Sequence, residues 1–281
     1  MNWFEALIAG VIQGLTEFLP ISSSGHLVIY SELTGGAGES ENNLAFTVFL
    51  HFATLLAVII VYRKDVWALI KELCGAIADS FKGKPEMSSP GRRYLLMVIV
   101  GTIPALIVGG GLKVLHLDSM LENIFIVAVM LIVTAVFMFM VDRIKDGGLT
   151  AKNAPIKAAW LVGILQAIAI LPGLSRSGST IFGGVLGGLK KEFAVRFAFI
   201  LSIPAILGAS VVELYGFTKS DETLTNAGNL AIGFVAAFIC GILAIKIIKF
   251  LINSKKFYIF GIYCCCASAF AFLVAFGLIG G

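Results

Sequence analysis

Stretches without a single Asp, Glu, Lys or Arg recur along the chain at 44–62, 94–112, 124–141, 197–212, 230–245 and 257–281. Most reach or approach the roughly 20 residues that cross a bilayer core as a helix. The shorter ones can be extended by flanking side chains that snorkel to the interface. The pattern predicts an all-α, polytopic membrane protein with six full spans. Two further segments, 1–34 and 157–191, are also apolar but broken, the first by Pro20 and Gly25, the second by Pro172, Gly173 and Gly178. Each is too long for a loop and too interrupted for one clean span.

Composition supports this: 58% of residues are hydrophobic and 14% charged, against about 45–50% and about 25% in a soluble domain. A solvated globule is excluded. Residues 1–34 lack a basic region followed by a small-residue cleavage site, so they are expected to belong to the fold. Lys and Arg gather in 63–93, 143–157 and 246–256, whereas 113–123 and 215–229 hold one basic residue each and 35–43 holds only Glu39 and Glu41. The positive-inside rule puts the first set in the cytoplasm and the second outside, with both termini outside. Residue 157 and Lys190–Lys191 then share a side, so 157–191 must enter and return as a re-entrant hairpin, its broken backbone buried by protein.

The two broken segments resemble each other. Residues 13–26 read QGLTEFLPISSSGH and 166–180 read QAIAILPGLSRSGST; Gln13 and Gln166, Ser24 and Ser177, and Gly25 and Gly178 share one offset of 153 residues. A Phe-rich segment follows each, FTVFLHF at 46–52 and FAVRFAF at 193–199. The expected organisation is one integral membrane domain: repeat 1 over about 1–112, a connecting span over about 113–142, repeat 2 over about 157–252, and a final span over about 257–281. A unit of one hairpin plus two spans, joined to its copy through a single span, makes the second copy upside down. Inverted repeats with broken helices gather polar groups near the bilayer midplane.

Those segments hold the ionisable residues at membrane depth, where such groups are costly and mark function. Gln13 and Glu17 lie four residues apart on one helix face, an amide and a carboxylate suited to a hard divalent cation; alternatively Glu17 acts as a base. Ser22, Ser23 and Ser24 precede Gly25 and His26 just after Pro20, where a new helix start would offer N–H groups and hydroxyls to an anion or simply be capped by serine. Ser175, Arg176, Ser177, Gly178, Ser179 and Thr180 read as an oxyanion cradle around a guanidinium fork, with a structural Glu17–Arg176 ion pair as the alternative. His51 is expected in the core rather than the cavity, and Arg196 and Glu192 at a helix entry outside the site. Cys264, Cys265 and Cys266, adjacent on one helix, point apart and are read as packing or lipid-facing residues.

With these residues in view, the chain resembles the undecaprenyl-diphosphate phosphatases, also known as bacitracin-resistance proteins, over essentially its whole length. Two signatures carry the resemblance: Glu/Gln-x-x-x-Glu followed by Pro-x-Ser-Ser-Ser/Thr-Gly-His, here Gln13 to His26, and Pro-Gly-x-Ser-Arg-Ser-Gly, here Pro172 to Gly178. The resemblance implies hydrolysis of undecaprenyl diphosphate to its monophosphate and phosphate, at the outer face of the bacterial inner membrane, recycling the lipid carrier for cell-wall synthesis and conferring bacitracin resistance. It implies a divalent cation, magnesium or calcium, with Gln13 and Glu17 as metal ligands; the first position, often Glu in the family, is Gln13 here.

The expected catalytic set is Glu17, Ser23, His26 and Arg176, with Ser22, Ser24, Gly25, Ser175, Ser177, Gly178 and Thr180 binding substrate. The nucleophile is left open among Ser23, His26 and water. Expected partners are a polyprenyl diphosphate lipid and membrane lipid, with no nucleic acid; a homodimer is left open. Inverted repeats also suit a transporter, and polar residues that only lock helices together suit a channel or structural protein.

Overall fold

The computed structural model describes residues 2–33, 44–81, 89–114, 123–217 and 226–279. The connection 35–43, with Glu39 and Glu41, lies outside the described residues, as do 82–88, 115–122 and 218–225. The described residues form eleven α-helices, with an isolated parallel bridge between Leu149 and Leu189.

Two helical hairpins stand at matched places. In the first, α1 (Trp3–Phe18) is followed by α2 (Ser23–Leu33); in the second, α7 (Ile156–Ile168) is followed by α8 (Arg176–Leu186). Neither hairpin contains a helix of spanning length, as the Pro and Gly breaks require.

Between and after them run α3 (Leu44–Val61), α4 (Arg63–Phe81), α5 (Pro90–Val114), α6 (Ile124–Arg143), α9 (Lys191–Phe217), α10 (Ala227–Leu251) and α11 (Tyr258–Ala275). Five of these, α5, α6, α9, α10 and α11, are long and apolar enough to cross a membrane.

The sixth expected span, 44–62, corresponds to α3, which turns by 89° into α4. Helix α4 occupies the first part of the basic stretch 63–93, where only a connection is expected. Its apolar positions, Val66, Ile70, Leu73 and Ile77, follow the helical period, and it buries no residue. An amphipathic helix set square to a span has the features of one lying in the membrane interface. Arg92 at the start of α5 ties it down, donating from Nε to Glu72 (3.0 Å) and from Nη2 to Asp79 (2.6 Å).

Helix packing pairs the two halves crosswise: α1 packs on α10, α7 on α5, α6 on α11, and α3 lies against both α9 and α10. Glycine makes the first two contacts close. A Cβ on Gly163 of α7 would stand 2.6 Å from the Gly101 carbonyl oxygen of α5, and one on Gly10 of α1 would overlap the Gly233 carbonyl of α10. Gly10 and Gly163 share the 153-residue offset. Small residues that bring backbones together are what helix association in lipid relies on, because lipid tails leave little hydrophobic drive between helices.

Candidate active site

Both hairpins turn through a left-handed residue, Ser22 (φ 73°) and Gly173 (φ 89°). At Gly173 a side chain would collide with the Val127 backbone of α6, so only glycine fits.

Each turn is then closed by the same set of bonds. Ser22 Oγ accepts from Gly25 N–H (3.2 Å) and lies 3.3 Å from Ser24 Oγ; Ser175 Oγ accepts from Gly178 N–H (3.1 Å) and lies 3.1 Å from Ser177 Oγ. All three members correspond at the 153-residue offset. Ser175 thus caps α8, and Ser22 makes the matching bond at the start of α2.

The two tips touch reciprocally. A Cβ on Gly25 would lie 3.1 Å from Gly173 Cα, and one on Gly178 would lie 3.3 Å from Pro20 Cβ. Pro20 is the counterpart of Gly173, as Gly25 is of Gly178, so position i meets j while j meets i. That exchange is how surfaces meet across a local two-fold.

This junction sets the positions of the first residues of α2 and α8, Ser23 and Arg176, which are also counterparts. They converge on one carboxylate. Ser23 Oγ donates to Glu17 Oε2 (2.8 Å), Arg176 Nη2 donates to Glu17 Oε1, and Gln13 Nε2 donates to Oε2 from one turn earlier in α1 (3.1 Å). The Glu17 side chain is 3% exposed and that of Arg176 27%. His51 of α3 lies within electrostatic reach of Glu17.

A cavity of about 430 Å³ opens on this cluster. Of the expected site residues, Glu17, Ser22, Ser23, Ser24, Ser175 and Arg176 line it. The others do not. Gln13 stands behind Glu17, and the N–H groups of Gly25 and Gly178 are spent on the serine caps. Ser177 Oγ donates to the Leu19 carbonyl (3.2 Å), and Thr180 Oγ1 donates to the Arg176 carbonyl within α8 (2.8 Å).

His26 also points elsewhere. Its Nδ1 bonds the Ser22 carbonyl (2.7 Å), its Nε2 bonds Tyr263 Oη of α11 (2.7 Å), and the two rings stack. Because a carbonyl only accepts, Nδ1 carries the hydrogen.

Four polar lining residues stand outside the expected site set: Thr16, His51, Thr102 and Gln166. Thr16 Oγ1 donates within α1 to the Ile12 carbonyl (2.7 Å). Gln166 had a signal, its correspondence to Gln13. His51 was expected in the core, and Thr102 of α5 gives no local sign. The remaining wall is apolar and small, including Leu106, Gly109 and Ile170.

Arg196 and Glu192 are remote from this cavity, as expected. Arg196 pairs with Asp65, and Glu192 accepts from Lys190 (3.2 Å). Cys264 is buried, with its Sγ 3.8 Å from the Pro20 carbonyl, while Cys265 and Cys266 are exposed and all three are free thiols.

The profile of the family described as "Bacitracin resistance protein BacA" matches residues 6–270. A protein of Methanobrevibacter smithii named undecaprenyl-diphosphatase is 42% identical over 274 residues, covering 94% of each chain. Proteins of the same name from Christiangramia forsetii and Korarchaeum cryptofilum are 38% and 39% identical, covering 98% and 94% of this chain and 99% and 96% of their own.

Proposed function

The chain belongs to the BacA family of bacitracin resistance proteins, and from that premise we infer that it is a multi-pass membrane phosphatase. It hydrolyses undecaprenyl diphosphate to undecaprenyl phosphate and phosphate. The observation that carries the mechanism is the convergence of Ser23 and Arg176 on the two oxygens of Glu17.

Ser23 is the nucleophile. Its Oγ already donates to Glu17, so the carboxylate is placed to take the proton as the oxygen attacks the terminal phosphorus. The bond from that phosphorus to the bridging oxygen breaks, and undecaprenyl phosphate leaves with the electron pair. Water then attacks the phosphoserine, phosphate departs, and the proton held by Glu17 returns to Ser23. Arg176 supplies donors to the phosphoryl oxygens as their charge redistributes, in a reaction that is chiefly positioning and electrostatics. His26, held between Ser22 and Tyr263, fixes the turn that presents Ser23.

Among the described residues no three His, Cys, Asp or Glu side chains gather to bind a metal. Both Glu17 oxygens are engaged by protein donors, so the chain does not build an all-protein cage. One carboxylate and the serine hydroxyls that line the cavity do fit a magnesium or calcium ion held largely by substrate phosphates. Glu17 would hold it, and it would neutralise phosphoryl charge there; Gln13, expected as a second ligand, stands outside the cavity lining and would orient the Glu17 carboxylate instead.

The matched caps, the reciprocal tip contacts and the paired glycines support an inverted duplication with two re-entrant hairpins. Charge placement supports an outward-facing site in the cytoplasmic membrane.

Release of phosphate from a prenyl diphosphate, with a rapid denaturant quench at neutral pH that preserves both phosphoserine and phosphohistidine, and mass analysis of Ser23 and His26, tests the reaction and its nucleophile together. A labelled His26 or an unlabelled chain at full turnover overturns the assignment to Ser23.

A further inference from the structure

Gln166 is 2% exposed and lines the cavity. Neither its Nε2 nor its Oε1 has a hydrogen-bond partner among the described residues. A buried amide left unpaired costs free energy, so its retention calls for an explanation. Its counterpart Gln13 has none of this difficulty, because Gln13 bonds Glu17 four residues on. At the position matching Glu17 the second hairpin carries Ile170. Gln166 has therefore lost the local partner that the first hairpin provides, and its amide is left to the cavity.

Its surroundings say what it can take. Ala169 and Ile170, in the turn that follows α7, line the apolar part of the cavity together with Leu106 and Gly109. A Cβ on Gly109 would lie 3.5 Å from Ile170 Cδ1, so α5 and the turn after α7 close this wall together. Ser23, Glu17 and Arg176 form a separate, bonded pole. A diphosphate whose terminal phosphorus meets Ser23 must lodge its other phosphoryl group between that pole and the wall that accepts the prenyl chain.

We propose that Gln166 is the positioning residue for this lipid-side phosphoryl group, its Nε2 donating to a phosphoryl oxygen. The assignment rests on Ser23 and Arg176 taking the terminal group. It makes Gln166 a determinant of affinity for both the diphosphate lipid and the monophosphate lipid product, because both carry the phosphoryl group it contacts. The uncharged amide holds this group without the permanent charge that would retain the product.

The test uses the purified full chain, a short-chain prenyl diphosphate as substrate, and two inhibitors, the matching prenyl monophosphate and inorganic phosphate. Gln166→Met keeps the length of the side chain and removes its donor. KM for the diphosphate and the inhibition constant of the prenyl monophosphate should rise together, about tenfold, as expected for one lost hydrogen bond to a charged group. Inhibition by inorganic phosphate should not change, and the ligand-free melting temperature should hold or rise, since two unpaired polar atoms have been removed. Gln166→Glu, similar in shape, should weaken both lipid ligands further by charge repulsion.

Unaltered inhibition by the prenyl monophosphate overturns the proposal. So does a fall in melting temperature with both inhibition constants unchanged, which is the mark of a structural amide. If inorganic phosphate fails to inhibit even the unaltered protein, the Ser23–Arg176 pole is misassigned, while the prenyl monophosphate arm still reads Gln166.

Discussion

Arg176 of the second hairpin donates to Glu17 of the first across 159 residues of sequence, and the carboxylate it reaches is almost wholly buried. The contact is both a lock between the halves and the frame of the reacting group. Removing one partner of a buried pair typically costs about 3–5 kcal/mol, because the other charge is left uncompensated. Arg176→Ala should therefore lose both stability and turnover. Adding Glu17→Gln should restore much of the melting temperature and none of the phosphate release. Thermal unfolding and phosphate release on the single and double variants measure this; recovery of both together would make the pair purely structural.

Ser23 sits at the first position of α2, and among the described residues its hydroxyl makes one hydrogen bond, to Glu17. Ser23→Ala should cost only about 1 kcal/mol of stability. Turnover should fall about a thousandfold or more, since loss of a nucleophile leaves only the catalysis given by binding and electrostatics. A drop of less than tenfold, measured as initial rate at saturating substrate, would point to direct attack by water.

Much of this was legible in the sequence, for an identifiable reason. A stretch without charge fixes a span whatever its neighbours do, so α5, α6, α9, α10 and α11 lie where expected. The 153-residue offset located both hairpins, because turns need Pro, Gly and capping Ser at fixed places. Helix α4 was hidden by its own charges: its basic residues read as a connection, although its apolar positions keep the helical period. Which side chains face the cavity was less legible. The order Ser-Ser-Ser-Gly-His does not reveal that Ser23 turns to Glu17 while His26 turns to Tyr263 on α11, since that depends on a helix more than two hundred residues away.

His26 separates two roles cleanly. As an anchor, its Nδ1–H holds the Ser22 carbonyl beside the nucleophile. His26→Ala should then lower kcat about a hundredfold through misplacement of Ser23, and the pH dependence of the residual activity should keep its shape. A lost or displaced limb in the kcat profile would instead make His26 a group that transfers protons.

Gly163 and Gly10 meet carbonyl oxygens of α5 and α10 at matched positions, whereas nothing lies within 4 Å of a Cβ placed on Gly110. Overfilling a close contact costs about 1–3 kcal/mol. Gly163→Val and Gly10→Val should lower the melting temperature in detergent by comparable amounts, and Gly110→Ala should leave it unchanged or raise it. Unequal losses at the paired glycines would argue against equivalent roles in the two halves.

The cation is expected to act with substrate rather than with the empty protein. A ligand that binds only the native state raises its stability in proportion to occupancy, so a preformed metal site would raise the melting temperature in magnesium alone. Glu17 here is engaged by Arg176, Gln13 and Ser23, and no cluster of three ligating side chains stands among the described residues. A chelator should therefore abolish phosphate release while leaving the melting temperature within about 1 °C, a shift smaller than the several degrees that about 1 kcal/mol produces in a small domain. Magnesium plus a non-hydrolysable diphosphate should raise it more than the sum of either alone. A large shift with magnesium by itself would mean that Glu17 leaves Arg176 for the metal before substrate arrives, and the ion pair would then be a resting state that the cation opens.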